Sequence, residues 1–184
     1  MQLYGSYTSP YVRHCRIALL EEGFDCEFIT TDQQASAELS PTKRVPFLRD
    51  GELLLSDSSS ILKYLREKAG KSWLADVCDY DPFCLADTLL DSTTNIFFLE
   101  KAGVNPAENS YLQRQQARID DGLRLLNSRQ FSTSNFSDSE LRLACYLGWG
   151  LFRKRLSLAQ LPNLQAFYDN ISTYPPFADT APFE

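Results

Sequence analysis

The chain has 184 residues, 43% of them hydrophobic, enough to bury one large core or two small ones. A formal net charge of −6 and the lack of any basic run exclude the electrostatic footprint of a nucleic-acid binder. A small anionic ligand needs only local cations, and Arg13, Lys43 and Arg44 offer them. Cys15, Cys26, Cys78, Cys84 and Cys145 are an odd set without CxxC spacing, so neither a disulfide framework nor a zinc site is indicated. Cys15 and Cys145 lie in apolar helical patterns and read as small buried hydrophobes. With no charged leader and no apolar run of membrane-spanning length, the pattern is that expected of a soluble protein in a reducing, cytoplasmic compartment.

Leu3, Tyr4 and Gly5 read as the end of a short buried strand, and Ser6-Tyr7-Thr8-Ser9 as a polar turn. Pro10 opens a helix whose residues Tyr11, Cys15, Ala18 and Leu19 share one face. Ser before Pro is a strong helix start, because the Ser side chain caps a free N–H and Pro needs none. That start leaves a hydroxyl and several N–H groups at the positive end of a helix, where phosphate, carboxylate or thiolate is favoured. On these residues alone, a simple cap is the plainer reading of Ser9. Gly23 then stops the helix, and Cys26–Thr30 reads as a second strand, completing a parallel, right-handed βαβ unit.

Residues 31–44 are polar, with a short helix expected over Ala35–Leu39. Val45–Arg49 and Leu53–Leu55 flank Asp50-Gly51 as a hairpin, with Pro46 heading the first strand, where a trans bond is the common form. Ser56–Ser60 leads into a helix with Ile61, Leu62, Leu65 and Ala69 on its face, again placing hydroxyls and a carboxylate at a helix start. Residues 1–70 therefore read βαβαββα around a mixed four-stranded sheet, followed by a linker over 71–81. Residues 82–184 carry helical spacing only. Ala86, Leu89, Leu90, Thr93 and Phe97 mark one helix, and Leu112, Ile119, Leu123 and Leu126 another. A capping box at Ser137–Glu140 introduces a third, Pro162 opens a last one, and residues 174–184 form an irregular proline-containing tail.

This order of motifs resembles the cytosolic glutathione S-transferases, especially bacterial members that begin with a Tyr-Thr-Ser-Pro turn. Ser9-Pro10-Tyr11-Val12-Arg13 stands where that family has its catalytic turn. Ser40-Pro41-Thr42-Lys43-Arg44-Val45-Pro46-Phe47-Leu48 resembles its Asn-Pro-x-Gly-Lys-Val-Pro segment. Asp57-Ser58-Ser59-Ser60-Ile61-Leu62-Lys63-Tyr64-Leu65 resembles its Glu-Ser-x-Ala-Ile-x-x-Tyr-Leu segment. The resemblance implies a thioredoxin-like domain followed by an all-helical one, assembled as a homodimer, without a metal. It implies a cis Val45–Pro46 bond that turns the Val45 backbone toward the cysteinyl part of glutathione, the cosubstrate. It also implies that Asp57 and Ser58 hold the γ-glutamyl end, that Arg44 or Lys43 meets the glycyl carboxylate, and that Ser9 donates to the sulfur.

The chain departs from the family pattern at several points. Lys43 replaces the usual glycine, and Asp57 is a carbon shorter than the commoner Glu. Tyr4, Ser6, Tyr7 and Thr8 offer hydroxyls that compete with Ser9, and the turn has no cysteine for a mixed-disulfide mechanism. The helical part is short, trimmed around 127–137; Phe97 and Phe98 are candidates for an electrophile wall, and the lone histidine, His14, reads as a surface or packing residue. The activity implied is thiolate transfer to small hydrophobic electrophiles, with no nucleic-acid or membrane partner. The alternatives are a regulatory, partner-binding protein on the same fold, similar to the stringent-starvation regulators, and glutathione-dependent reduction or dehalogenation.

Overall fold

The structure is a computed structural model and describes residues 1–183. Its chain divides into two compact units, Met1–Ala75 with the segment from Thr173 on, and Asp76–Ser172.

In the first unit, β1 (Gln2–Gly5), α1 (Pro10–Glu22) and β2 (Glu27–Thr30) form the expected βαβ crossover. β1 pairs with β2 in parallel, setting Leu3 opposite Phe28. After α2 (Gln33–Leu39) come β3 (Phe47–Asp50) and β4 (Leu53–Leu55), an antiparallel hairpin turned at Asp50-Gly51. β3 also runs antiparallel to β1, giving the mixed order β2-β1-β3-β4. α3 (Ser58–Lys68) closes the motif. Leu3, Phe47, Leu48, Val12, Cys15, Ile61, Leu62 and Leu65 are essentially inaccessible to solvent and build the core between sheet and helices. The α1 and α3 ends are joined by charge: Arg66 pairs with Glu21 (2.5 Å) and Glu22, and Lys71 with Glu22 (2.8 Å).

The second unit is helical. α4 (Val77–Lys101) starts five residues before Pro82, so the linker is shorter than the sequence pattern suggests. Asp76 is the reason: its carboxylate accepts from the Cys78 N–H at 2.9 Å, and the proline is absorbed near the helix start, where only one internal bond is lost. α5 (Ser110–Asn127) approaches α4 at Gly122, where an added Cβ would lie 2.5 Å from a Leu89 methyl. α6 (Asp138–Phe152) opens on the capping box: the Ser137 N–H donates to Glu140 Oε2 at 2.9 Å and the Glu140 N–H to Ser137 Oγ at 3.4 Å. Every residue from Leu141 to Gly150 is buried, with the small residues Ala144, Cys145 and Gly148 among them. Arg142, also fully buried, lies 3.4 Å from Asp87 and 4.9 Å over the Phe83 ring. α7 (Pro162–Ile171) completes the unit. No helix among the described residues is long and apolar enough to cross a membrane.

The tail departs from the expectation of irregular chain attached to the helices. It forms a short α8 (Pro175–Ala178) and belongs to the first unit.

Candidate functional site

The Ser9 turn is fixed by the chain on both sides of it. β1 ends at Gly5, where an added Cβ would meet both Val12 γ-methyls at 2.6 and 2.7 Å, so strand and helix touch directly. The Ser9 N–H donates to Ser6 O and the Arg13 N–H to Ser9 O, each at 3.0 Å. Ser9 is the N-cap of α1: its Oγ accepts from the Val12 N–H at 3.4 Å, Pro10 follows, and no acidic residue lies in the first turn to oppose the positive helix end. Three of the neighbouring hydroxyls are turned to each other or to a side chain. Ser6 Oγ and Thr8 Oγ1 are 3.1 Å apart, and Tyr4 Oη donates to Gln2 Oε1 at 3.1 Å while its ring stacks on Phe47.

The Val45–Pro46 bond is cis, as the family resemblance implies. The β1–β3 ladder begins at Phe47, so the half-buried Val45 lies outside it. Two residues earlier, Lys43 has φ +55°, the left-handed conformation that a glycine supplies without cost. Lys43 and Arg44 are both exposed. Thr42 donates through Oγ1 to Ser56 O at 3.5 Å and ties this loop to the start of α3.

Asp57 is the N-cap of α3. Its Oδ1 accepts from the N–H groups of Ser59 (2.8 Å) and Ser60 (3.3 Å), while the side chain remains exposed. Ser58, the first residue of the helix, is buried, with Cys15 Sγ 3.9 Å from its carbonyl. Ser9, the Val45–Pro46 loop and the Asp57–Ser58 start are therefore all held on the first unit, two of them at helix N-termini.

Arg13 is different. It is buried, donates from Nη2 to Phe177 O at 2.7 Å and sits over the Phe177 ring, so its charge serves the tail and is not an anion donor for this site. His14 is fully buried and packs. Phe97 is buried against Trp149 in the second unit, and Phe98 is half exposed. No group of three or more His, Cys, Asp or Glu residues among those described could hold a metal ion.

The sequence model of the glutathione S-transferase N-terminal domain matches residues 3–73. Along 99% of this chain and 98% of its own, the uncharacterized GST-like protein YibF of Escherichia coli is 27% identical. A glutathione S-transferase from Methylobacterium radiotolerans, solved with glutathione sulfonate, superimposes with a TM-score of 0.83 at 26% identity, over 100% of this chain and 95% of its own. A glutathione S-transferase from Methylobacillus flagellatus, solved with glutathione bound, gives the same score and identity over 99% of both chains. The first unit thus carries the glutathione S-transferase N-terminal domain, and the whole chain has the fold of the two glutathione S-transferases it superimposes on.

Proposed function

We propose that the chain binds glutathione on its first unit and activates the thiol for transfer to small hydrophobic electrophiles, as a cytoplasmic homodimer. Two full-length structural relatives were solved with glutathione or its sulfonate, which supports the choice of cosubstrate. In this reading the Val45 backbone, outside the β1–β3 ladder, pairs with the cysteinyl backbone as a strand edge does, and Pro46 holds it there. Asp57 keeps Oδ2 for the γ-glutamyl ammonium while Oδ1 caps α3, and Ser58 at the helix start meets the γ-glutamyl carboxylate. Arg44 or Lys43, both exposed, meets the glycyl carboxylate.

The observation that carries the proposal is the state of Ser9. Its oxygen accepts from the Val12 N–H, which leaves the hydroxyl proton to donate to a sulfur at the unopposed positive end of α1. A free thiol with a pKa near 8.5 is mostly protonated at neutral pH, and the thiolate is the nucleophile. Lowering that pKa by about two units takes roughly 2.7 kcal/mol of differential stabilisation. A charge-assisted hydrogen bond and a helix terminus together have that magnitude. Ser9 forms no covalent intermediate in this scheme; the sulfur attacks, and the electrophile's leaving group departs or its double bond takes up the electron pair.

The test is a thiolate absorbance titration of glutathione bound to wild type and to Ser9→Ala. The expected result is a thiol pKa well below that of free glutathione in wild type and restored toward it in the variant. Failure of the wild type to bind at millimolar glutathione refutes the proposal; an equal shift in both proteins removes Ser9 from its role.

A further inference from the structure

The tail meets α1 at successive points along its length. At the C-terminal end of that helix, Tyr174 Oη donates to Glu21 Oε1 at 2.6 Å. Nearer its start, Arg13 donates to Phe177 O at 2.7 Å and to Thr180 Oγ1 at 3.4 Å, and its guanidinium carbon lies 3.6 Å from the centre of the Phe177 ring. Beyond the N-terminal end, the Phe183 ring sits 4.5 Å from that of Tyr7, in the turn that finishes at Ser9. Tyr7 is gripped from other sides by Phe28 at 4.7 Å and by the Arg16 guanidinium, also at 4.7 Å.

These contacts are built, not incidental. Arg13, Phe177 and Thr180 are almost wholly buried, and a guanidinium taken out of water is costly unless it is hydrogen-bonded. The tail supplies a carbonyl, a hydroxyl and an aromatic face to this one. Thr180 Oγ1 accepts from Arg13 and donates to Pro176 O at 2.8 Å, which fixes the short helix that presents Phe177.

We infer that Tyr174–Phe183 is a strap laid antiparallel along α1, and that it positions the Ser9 hydroxyl by holding the Tyr7 side of the turn. Its catalytic consequence rests on the thiol-activating role proposed for Ser9; its holding of the turn rests on the contacts alone. A donor to a thiolate must keep both distance and angle, because hydrogen bonds weaken steeply as either drifts. Arg13, Phe177 and Phe183 are positioning residues in this sense.

Phe183→Ala is the informative variant, since the residue is 56% exposed and loss of its ring opens no core cavity. Thr8 and Ser9 report on the turn through their amides, which bond Ser6 Oγ at 3.3 Å and Ser6 O at 3.0 Å. Amide exchange at these two is expected to rise about fivefold in Phe183→Ala, the size of one lost aromatic pair, with the β3–β4 hairpin unchanged. In the glutathione complex the thiol pKa rises in the same variant, glutathione affinity holds, and Phe183→Tyr restores wild-type values in both measurements. Unaltered exchange at Thr8 and Ser9 overturns the strap. Faster exchange with an unmoved thiol pKa, in protein that binds glutathione, overturns the positioning role. A wild type that binds no glutathione removes the proposed function, while the exchange result alone still decides whether the strap holds the turn.

Discussion

Gly5→Ala tests whether the contact between β1 and α1 sets the geometry of the turn between them. An alanine Cβ at this position would lie 2.6 and 2.7 Å from the two Val12 γ-methyls and 3.2 Å from Val12 Cβ, all well inside van der Waals contact. The backbone is not the obstacle, since Gly5 is not among the residues with positive φ. Val12 cannot step aside: it is fully buried, and a β-branched side chain in a helix has one strongly preferred χ1. The strand or the helix must move instead. Overpacking of this kind costs about 1–3 kcal/mol. Urea denaturation should therefore place the midpoint of Gly5→Ala below wild type with an unchanged m-value. Val12→Ala alone destabilises by opening a cavity, but it removes the very methyls that the new Cβ strikes. The double variant should therefore be more stable than the sum of the single effects predicts, by about 1–2 kcal/mol. Additive effects within about 0.5 kcal/mol refute the reasoning, because they would mean that the two positions do not share the strain.

Two further predictions concern the flanks of the site. Lys43→Gly relieves a left-handed residue worth about 1–2 kcal/mol, against roughly 0.5–1 kcal/mol of added chain entropy in the unfolded state. The net is a small gain in stability, read as a higher urea midpoint; a lower one shows that the lysine side chain stabilises its loop. For Glu22, burial pulls the carboxyl pKa upward, but hydrogen bonds from Lys71 and Arg66 prevail and hold it below its ordinary value of 4.5. The unfolded chain then binds this proton more readily than the folded one, so the stabilisation is complete above about pH 4.5 and fades as pH falls through the lower folded value. Glu22→Gln should be less stable than wild type at neutral pH, and the two should converge in acid. A gap that stays constant with pH contradicts the assignment.

Much of the site could be read from the sequence because its parts are local. Ser9-Pro10 and Asp57-Ser58 announce helix starts through a side chain that reaches an N–H two or three residues on, and the structure makes those bonds. The Ser137–Glu140 capping box is equally local and equally present. Reading failed where a partner lies far along the chain. By its place near the turn Arg13 is a cation available to an anion, yet its partners are 164 and 167 positions away. The apolar pattern lapses over 71–81 and reads as a linker there, while the Asp76 carboxylate caps α4 and starts it at Val77. Nothing in the pattern around Lys43 announces a left-handed backbone, since lysine gives no such signal; only the family comparison pointed to a glycine position there.

The sequence by itself determined the order of elements, the two capped helix starts at Ser9 and Asp57 and the change from a sheet unit to a helical one. Hydrophobic period and capping chemistry act over a few residues, so each is written where it acts. Tertiary structure alone decided that β1 lies inside the sheet between β2 and β3, that His14 and Arg142 are buried, and that the tail returns to clasp α1. Those outcomes depend on which surfaces meet once the chain is compact. A buried guanidinium takes whichever distant carbonyl and ring reach it, and no local spacing names them in advance.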